Sequence, residues 1–191
     1  INPYGESKVK TEHYLQQIDS SKINYIILRY FNVAGADPKM RSGLIKKNPT
    51  HLIKIASEAA IGKRDSVQIF GNDYNTPDGT AIRDYIHVSD LADIHVKVLQ
   101  FVLEKKRSEI FNCGYGKGYS VKDVLNVTNS LCKNRINIFN APRRPGDAEM
   151  VVSDISKLKR MIDWTPKYNK LDFIIQTAID WELKLQNEQI S

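Results

Sequence analysis

The chain has 191 residues, with 28 basic and 22 acidic side chains and a formal net charge of +6. That length suffices for one good-sized core or for most of a larger domain. The Lys and Arg residues are scattered along the chain, which favours a small anionic ligand over a nucleic acid. No apolar run approaches the ~20 residues of a membrane span, and two cysteines are too few to predict a zinc site or disulfides. We therefore expect no metal, no membrane and a reducing, cytoplasmic setting.

The first predicted helix carries a Tyr and a Lys four residues apart, in the stretch N-P-Y-G-E-S-K. Its apolar positions fall near one helical face; they are Val9, Tyr14, Leu15 and Ile18. Side chains at i and i+4 share a face, so Tyr4 and Lys8 point into the same space. A nearby ammonium lowers a phenol pKa, which suits general acid/base chemistry. The same spacing is frequent on surface helices, so the pair alone does not decide between these interpretations.

The next segments read as strand, loop and helix. A near-continuous apolar run over 24–31 predicts a strand buried on both faces of a parallel sheet. Asn32 follows at its carboxyl end, where ligands gather in α/β sheets, although a turn asparagine explains it equally well. The polar loop 33–50 is long enough to be a candidate active-site loop. A helix over 51–61 follows, with Gly62 as its stop.

The middle of the chain alternates in the same way. A short strand over 67–70 leads through a turn-rich loop to a strand over 82–88. Arg83 lies at the start of that second strand, where a planar guanidinium could clamp a phosphate. Ser89-Asp90 is expected to open the next helix. Its predicted buried residues are Leu91, Ile94, Val98 and Phe101.

A strand over 109–113 precedes the glycine-rich stretch 114–120. Its spacing is G-x-G-x-G, which is not the dinucleotide-binding fingerprint, so we expect a tight turn capped by Ser120 and a helix over 121–131. A strand over 136–139 then leads to Arg143-Arg144, which suits either an anionic ligand or solvated surface.

The remaining chain predicts two helices. The first begins at Asp154 and ends before Pro166, and the second spans about 171–185 with Phe173 and Trp181 inward. Both Trp residues are expected in the core. The alternation of strands and helices predicts an α/β fold.

Five stretches together resemble a known family. They are N-P-Y-G-E-S-K, L-R-Y-F-N, F-G-N-D-Y-x-T-P-D-G-T-x-x-R-D-Y-I-H-V-x-D-L-A, N-x-G-x-G-K-G-Y-S-V and P-R-R-P-G-D. They closely resemble the UDP-glucose 4-epimerases of the extended short-chain dehydrogenase/reductase family, in order and over essentially the whole chain. The resemblance implies NAD as cofactor and the interconversion of UDP-glucose and UDP-galactose through a 4-keto sugar.

The resemblance also implies roles at the reacting end. Tyr4 matches the base that takes the proton of the sugar 4-OH, and Lys8 matches the residue that binds the nicotinamide ribose. Phe31 matches a residue beside the nicotinamide, and Asn32 matches a substrate contact. Leu52 lies in the segment that covers the pyrophosphate.

Further roles are implied for the nucleotide. Gln68 and Phe70 match the strand next to the uracil. Arg83 and Arg144 match the pair that binds the diphosphate, and Asp147 matches a ribose contact.

One position bears on the choice of sugar. Val151 resembles the family's sugar-pocket gate, where small side chains tolerate an N-acetyl group. We therefore hypothesise that UDP-N-acetylhexosamines are accepted as well.

The resemblance implies a C-terminal part of a Rossmann-type parallel sheet plus a smaller α/β substrate-binding domain. We expect residues 1–32 to belong to the NAD-binding domain and 33–191 mainly to the UDP-sugar domain, with a segment near 82–103 returning to the former. The family's Gly-rich loop and catalytic Ser/Thr precede N-P-Y-G-E-S-K, so we expect this chain alone to be inactive and the edge of the 24–31 strand to be exposed. The full-length protein is expected to be a homodimer. A related nucleotide-sugar dehydratase or decarboxylase, or a non-catalytic UDP-sugar-binding remnant, stays open.

Overall fold

Helices and strands alternate along the chain in the computed structural model, which describes residues 3–19, 21–133 and 135–190 apart from the side chains of Tyr4, Gln189 and Ile190. The helices in this part are α1 (Pro3–Gln16), α2 (Leu52–Ala60), α3 (Val88–Lys105), α4 (Val121–Leu131), α5 (Ser156–Met161) and α6 (Leu171–Ile190). The strands are β1 (Ile26–Tyr30), β2 (Asn32–Ala34), β3 (Ser66–Phe70), β4 (Ile82–His87), β5 (Glu109–Cys113), β6 (Gly118–Ser120), β7 (Asn137–Ala141) and β8 (Met150–Val151).

The strands form small sheets in which parallel pairs predominate. β1 pairs in parallel with β5, and β3 pairs in parallel with β7. β4 is parallel to β2 and to β8, and antiparallel to β6. Parallel pairs require a crossover between the strands, usually a helix. The α/β class predicted from the alternation is confirmed.

The prediction that the first strand is buried on both faces is wrong. Arg29 and Tyr30 are exposed, and 52% of the Tyr30 surface is open to solvent. Within the described residues β1 has β5 as its one hydrogen-bonded strand neighbour. Ile26 and Leu28 pack against the core beside α3. The apolar composition of this strand therefore reflects one covered face, not two.

Three groups of buried side chains hold these elements together. The first core lies among β5, α3 and α5 and consists of Ile86, Leu91, Ile94, Val98, Phe111, Cys113, Leu158, Ile162 and Trp164. The second core lies among α2, β4, α4 and α6 and consists of Ile53, Tyr85, Val124, Leu171, Ile174, Ile175 and Ile179. The third core lies among α2, β3 and α4 and consists of Ala56, Val67, Ile69, Leu125 and Ile136. Burying such side chains removes apolar surface from water and is the main favourable term in folding.

Local capping explains why the start of α4 was predicted correctly and why the starts of α3 and α5 differ from the predicted ones. Ser120 caps α4 as expected, in a capping box with Asp123 that satisfies two backbone N–H groups. α3 begins at Val88, one residue before the predicted start. The reason is that the Nδ1 atom of His87 accepts the Ser89 N–H at 3.1 Å and serves as the cap. α5 begins at Ser156, because the Asp154 carboxylate accepts the Ser156 N–H in a turn that precedes the helix.

Other side chains differ in their exposure from what the helical pattern suggests. Trp164 and Trp181 are buried, as predicted. Phe173 is 37% exposed, because it lies at the rim of α6 against the rings of His87 and Tyr168. α6 also runs to Ile190, beyond the predicted end near 185.

α1 forms at the predicted place, but Val9 and Tyr14 on it are exposed.

In the described part of the chain, no helix combines the length and apolar character needed to cross a bilayer.

Candidate nucleotide-sugar site

One large cavity of about 1650 Å³ opens between the sheets and helices. Its walls come from β2, the loop that follows it, α2, β3, β4, the start of α3, Arg144, Asp147 and α6. Seven residues to which the resemblance gave substrate roles line it: Asn32, Leu52, Gln68, Phe70, Arg83, Arg144 and Asp147. These residues are far apart in sequence, so the fold brings them together. A cavity of this size is large enough for a ligand of nucleotide size.

Arg83 is held at the edge of the cavity by three acceptors. Its guanidinium donates to the Ile82 carbonyl at 2.8 Å, to the Ala148 carbonyl at 2.7 Å and to the Asp147 carboxylate. Arg83 is a β4 residue, and its neighbour in the sheet is Val151 of β8. The pairing of β4 with β8 therefore places the Arg83 guanidinium beside residues 147–151. A guanidinium held in this way carries positive charge at the cavity edge, and a phosphate could accept from its remaining N–H groups or displace Asp147.

The two adjacent arginines have different surroundings. The Arg143 guanidinium donates to the Asp73 carboxylate at 2.7 Å and lies 4.2 Å from the centre of the Tyr74 ring. The Arg144 guanidinium lies 3.8 Å from the centre of the Phe70 ring, and Arg144 lines the cavity. In the described part of the chain Arg144 has no carboxylate within 4 Å. Arg144 is therefore the one of the two arginines that faces the cavity without an ion-pair partner.

β2 and β3 supply the polar and aromatic walls. Asn32 begins β2, and its amide donates to the Asp84 carbonyl at 3.2 Å across the β2–β4 pair. Gln68 and Phe70 lie on the same face of β3, since side chains two residues apart in a strand point the same way. Leu52 is the first residue of α2 and lines the cavity. This combination of an aromatic ring, amides and guanidinium groups can hold a planar base and an anionic chain together.

The Asp84 carboxylate binds together backbone segments beside the site, and this role was not predicted from the sequence. Its fully buried carboxylate accepts the N–H of Tyr115 at 3.0 Å, of Gly116 at 2.9 Å and of Ser153 at 3.2 Å, and also the Ser153 hydroxyl. A side chain at Gly114 would collide with it. Asp84 thus ties β4 to the glycine turn and to the residues after β8. The available signal was an acidic residue in a buried strand, since such a group must be hydrogen-bonded.

His87 joins the cavity wall to α6. It is fully buried; its Nε2 lies 3.2 Å from the Thr177 hydroxyl, and its Nδ1 accepts from Ser89. An Nδ1 that accepts a hydrogen bond implies the neutral form with the proton on Nε2. Burial lowers the pKa of His87 below its usual value, against the opposing effect of the Asp90 carboxylate. His87 is therefore a structural group that is neutral at physiological pH.

Among the other predicted site residues with described side chains, Lys8, Phe31 and Val151 do not line the cavity. Lys8 is exposed on α1, and Tyr4 lies one turn before it, but the Tyr4 side chain is outside what the structure describes. Phe31 is partly buried between β1 and β2, where its N–H donates to the Cys113 carbonyl at 3.2 Å. Val151 is 38% exposed and is not among the cavity-lining residues. No group of three metal-ligating side chains comes together among the described residues.

The parallel strands and crossover helices define an α/β protein with a cavity lined by Arg83 and Arg144. Over residues 1–114 the sequence matches the NAD dependent epimerase/dehydratase family. The match covers more than half of the chain, so the chain belongs to this family.

Individual relatives are similar over nearly the whole chain. A UDP-glucose 4-epimerase of Azospirillum brasilense is 46% identical over 187 residues, which are 97% of this chain and 54% of that protein. The structure of a UDP-glucose-4-epimerase from Stenotrophomonas maltophila, with bound NAD and formylated UDP-arabinopyranose, matches with a TM-score of 0.93 at 32% identity and covers 98% of this chain and 56% of that one.

The structure of a UDP-Glc/GlcNAc 4-epimerase from Campylobacter jejuni matches with a TM-score of 0.77 at 44% identity. It covers 96% of this chain and 56% of that one. This chain thus spans about half the length of the relatives that it matches.

Proposed function

We propose that this chain forms the UDP-sugar-binding part of a UDP-glucose 4-epimerase, which interconverts UDP-glucose and UDP-galactose. The observation that supports the proposal most strongly is the convergence of Asn32, Gln68, Phe70, Arg83 and Arg144 on one cavity. The similarity to UDP-glucose 4-epimerases over 97% of the chain supports the same reaction over the dehydratase alternative.

The cavity residues have distinct proposed roles. Arg83 and Arg144 bind the diphosphate, because guanidinium groups match phosphate oxygens in charge and geometry. Phe70 and Gln68 hold the uracil, by ring contact and hydrogen bonding respectively. Asp147 contacts the ribose. Since Asp147 is paired with Arg83 in this structure, the ligand must either share that pair or open it.

Asn32 and Leu52 complete the proposed site. The Asn32 amide is held by the Asp84 carbonyl, so its oxygen is available to a sugar hydroxyl. Leu52 provides apolar cover over the pyrophosphate, which excludes water and strengthens the electrostatic contacts beneath it.

The reaction itself is proposed to pass through a 4-keto sugar. Tyr4 would take the proton of the 4-hydroxyl, and Lys8, one helical turn away, would hold the ribose of the cofactor. Phe31 would lie beside the nicotinamide. NAD, when bound, supplies the acceptor and later the donor of the hydride on C4. The helical spacing of Tyr4 and Lys8 on α1 fits this role, because it puts both side chains on one face.

The chain alone is proposed to bind UDP without turnover. The first 32 residues would belong to the NAD-binding domain, and residues 33–191 mainly to the UDP-sugar domain, with the segment near 82–103 returning to the former. The dinucleotide-binding fingerprint G-x-G-x-x-G is absent from this sequence. We propose that the active form is a longer homodimer in the cytoplasm.

UDP-N-acetylhexosamines are a second candidate substrate class. Val151 does not line the cavity of this structure, but its small size is what is expected of a gate that tolerates an N-acetyl group. The similarity to a UDP-Glc/GlcNAc 4-epimerase at 44% identity supports UDP-N-acetylhexosamines as substrates.

A calorimetric titration of the chain with UDP and with ADP tests the proposal. UDP should bind and ADP should bind much more weakly, because Gln68 and Phe70 would contact the pyrimidine. Equal affinity for UDP and ADP would exclude the proposed uracil site. A coupled assay with UDP-galactose and added NAD should detect no turnover, and measurable turnover would refute the proposed inactivity of the chain alone.

A further inference from the structure

The loop between β2 and α2 forms one wall of the cavity. Residues 37–39 and 41–44 of this loop line it. The loop is folded on itself by Asp37, whose carboxylate accepts from the Arg41 guanidinium and whose N–H donates to the Ser42 carbonyl at 2.9 Å. The Arg41 guanidinium lowers the pKa of Asp37 to about 2. Residues 37–42 therefore form a turn with its own internal bonds, but these bonds do not attach the turn to the rest of the fold.

The attachment comes from one face of α6. The Thr177 hydroxyl accepts the Ala36 N–H at 3.2 Å, and the Lys184 ammonium donates to the Met40 carbonyl at 2.7 Å. Between them, the Trp181 ring lies so close to Gly43 that a Cβ there would overlap it. Thr177, Trp181 and Lys184 are spaced four and three residues apart, so they form one stripe along the helix.

A second link ties α6 to the far end of the same loop. The buried Lys54 of α2 pairs with the buried Glu182 of α6. Lys54 lies two residues after Leu52, which lines the cavity where the loop enters α2. The two ends of the cavity-lining loop are thus both fixed to α6.

We propose that Thr177 and Lys184, together with Trp181, are positioning residues for the nucleotide-sugar cavity. Thr177 and Lys184 do not line the cavity, so they act through the loop residues that they hold. Trp181 lines the cavity, and the contact of its ring with Gly43 sets the distance between α6 and the loop. The identity of the ligand rests on the proposed function, whereas the attachment of the loop does not.

Hydrogen exchange without ligand tests the attachment directly. Thr177→Val keeps the shape of the side chain and removes the acceptor for the Ala36 N–H and the partner of His87 Nε2, so amide exchange over 36–43 should accelerate. Thr128→Val is the matched control, because Thr128 is also a buried helical Thr that bonds to a carbonyl of its own helix, in α4. Thr177→Ser should restore protection. A loop that exchanges as slowly in Thr177→Val as in the parent chain would overturn the proposal.

Lys184→Met provides an independent variant, in case Thr177→Val does not fold. It keeps an apolar stem near Trp181 and removes the donor to Met40. Exchange over 36–43 should rise in this variant. Glu188→Gln is the control, since it removes only the 3.6 Å pair with Lys184.

UDP affinity supplies the functional measurement. We expect Lys184→Met to weaken UDP binding about five- to tenfold, the equivalent of one hydrogen bond. Glu188→Gln should leave the affinity unchanged. Faster loop exchange with unchanged UDP affinity would overturn the positioning role. Failure of the parent chain to bind UDP would refute the proposed function instead, and the exchange of residues 36–43 would still decide whether α6 holds the loop.

Discussion

Replacing each of the two adjacent arginines separately is the sharpest test of the nucleotide site. Arg144→Met removes the cavity guanidinium, and Arg143→Met removes its neighbour, which is tied to Asp73 and Tyr74 instead. Both variants lose one positive charge and keep an unbranched side chain. A difference between them therefore reports position and not net charge.

The magnitude follows from the surroundings of each guanidinium. A hydrogen bond to a charged group contributes about 1.5–3 kcal/mol, and 1.4 kcal/mol corresponds to about a tenfold change in affinity. Arg144 is exposed, so solvent screening favours the lower part of that range. We expect Arg144→Met to weaken UDP binding about ten- to thirtyfold, and Arg143→Met to change it by less than about twofold.

The assay is calorimetric titration with UDP at several salt concentrations. Loss of a phosphate contact should also reduce the salt dependence of the affinity for Arg144→Met, because an exposed contact is screened by salt. Thermal unfolding of both variants controls for loss of structure. Equal weakening by the two substitutions would show that UDP responds to overall charge, and the assignment of Arg144 to the diphosphate would be abandoned.

Three further outcomes are expected. Asp84→Ala should lower the free energy of unfolding by about 3–5 kcal/mol in urea titrations, because it leaves buried N–H donors without an acceptor; a loss below about 1 kcal/mol would contradict its organising role. Burial lowers the pKa of His87 in the folded chain, so as the pH falls His87 is protonated in the unfolded chain before it is protonated in the folded one. The free energy of unfolding should therefore be fully present above the ordinary pKa of 6.5 and decrease as the pH drops below it. His87→Gln should flatten that dependence, and an unchanged pH profile would exclude His87 as its source. A thiol reagent should modify Cys132 but not Cys113 in the native chain, since burial raises the pKa of Cys113 to about 12; mass spectrometry identifies the labelled residue, and early labelling of Cys113 would show that the first core opens.

The sequence predicted well those features whose signals are local. The bounds of α4 and β5 coincide with the predicted ones, because a capping box and a short apolar run each act within a few residues. The start of α3 was missed because His87 caps it, and histidine is not among the usual capping residues.

Features that depend on distant partners were not predictable from the residues themselves. The exposure of Tyr30 is set by what packs on the faces of β1, and no residue within β1 carries that information. Arg143 and Arg144 are indistinguishable by type and by immediate neighbours. They differ because Asp73, some 70 residues away in sequence, engages only Arg143. The resemblance to a family selected Arg144, and the assignment of its role remains a prediction.

The arrangement of β4 has a consequence for how the molecule unfolds. Tyr85 and Ile86 are consecutive residues of β4, yet Tyr85 belongs to the second core and Ile86 to the first. Neither core can open fully while the other keeps the strand in place, so the two should melt as one cooperative unit. Arg83 lies on the same strand, and a ligand that binds it stabilises the native state by an amount set by its concentration and Kd. Saturation with UDP should therefore slow exchange in α3 and in α6 together, although these helices belong to different cores.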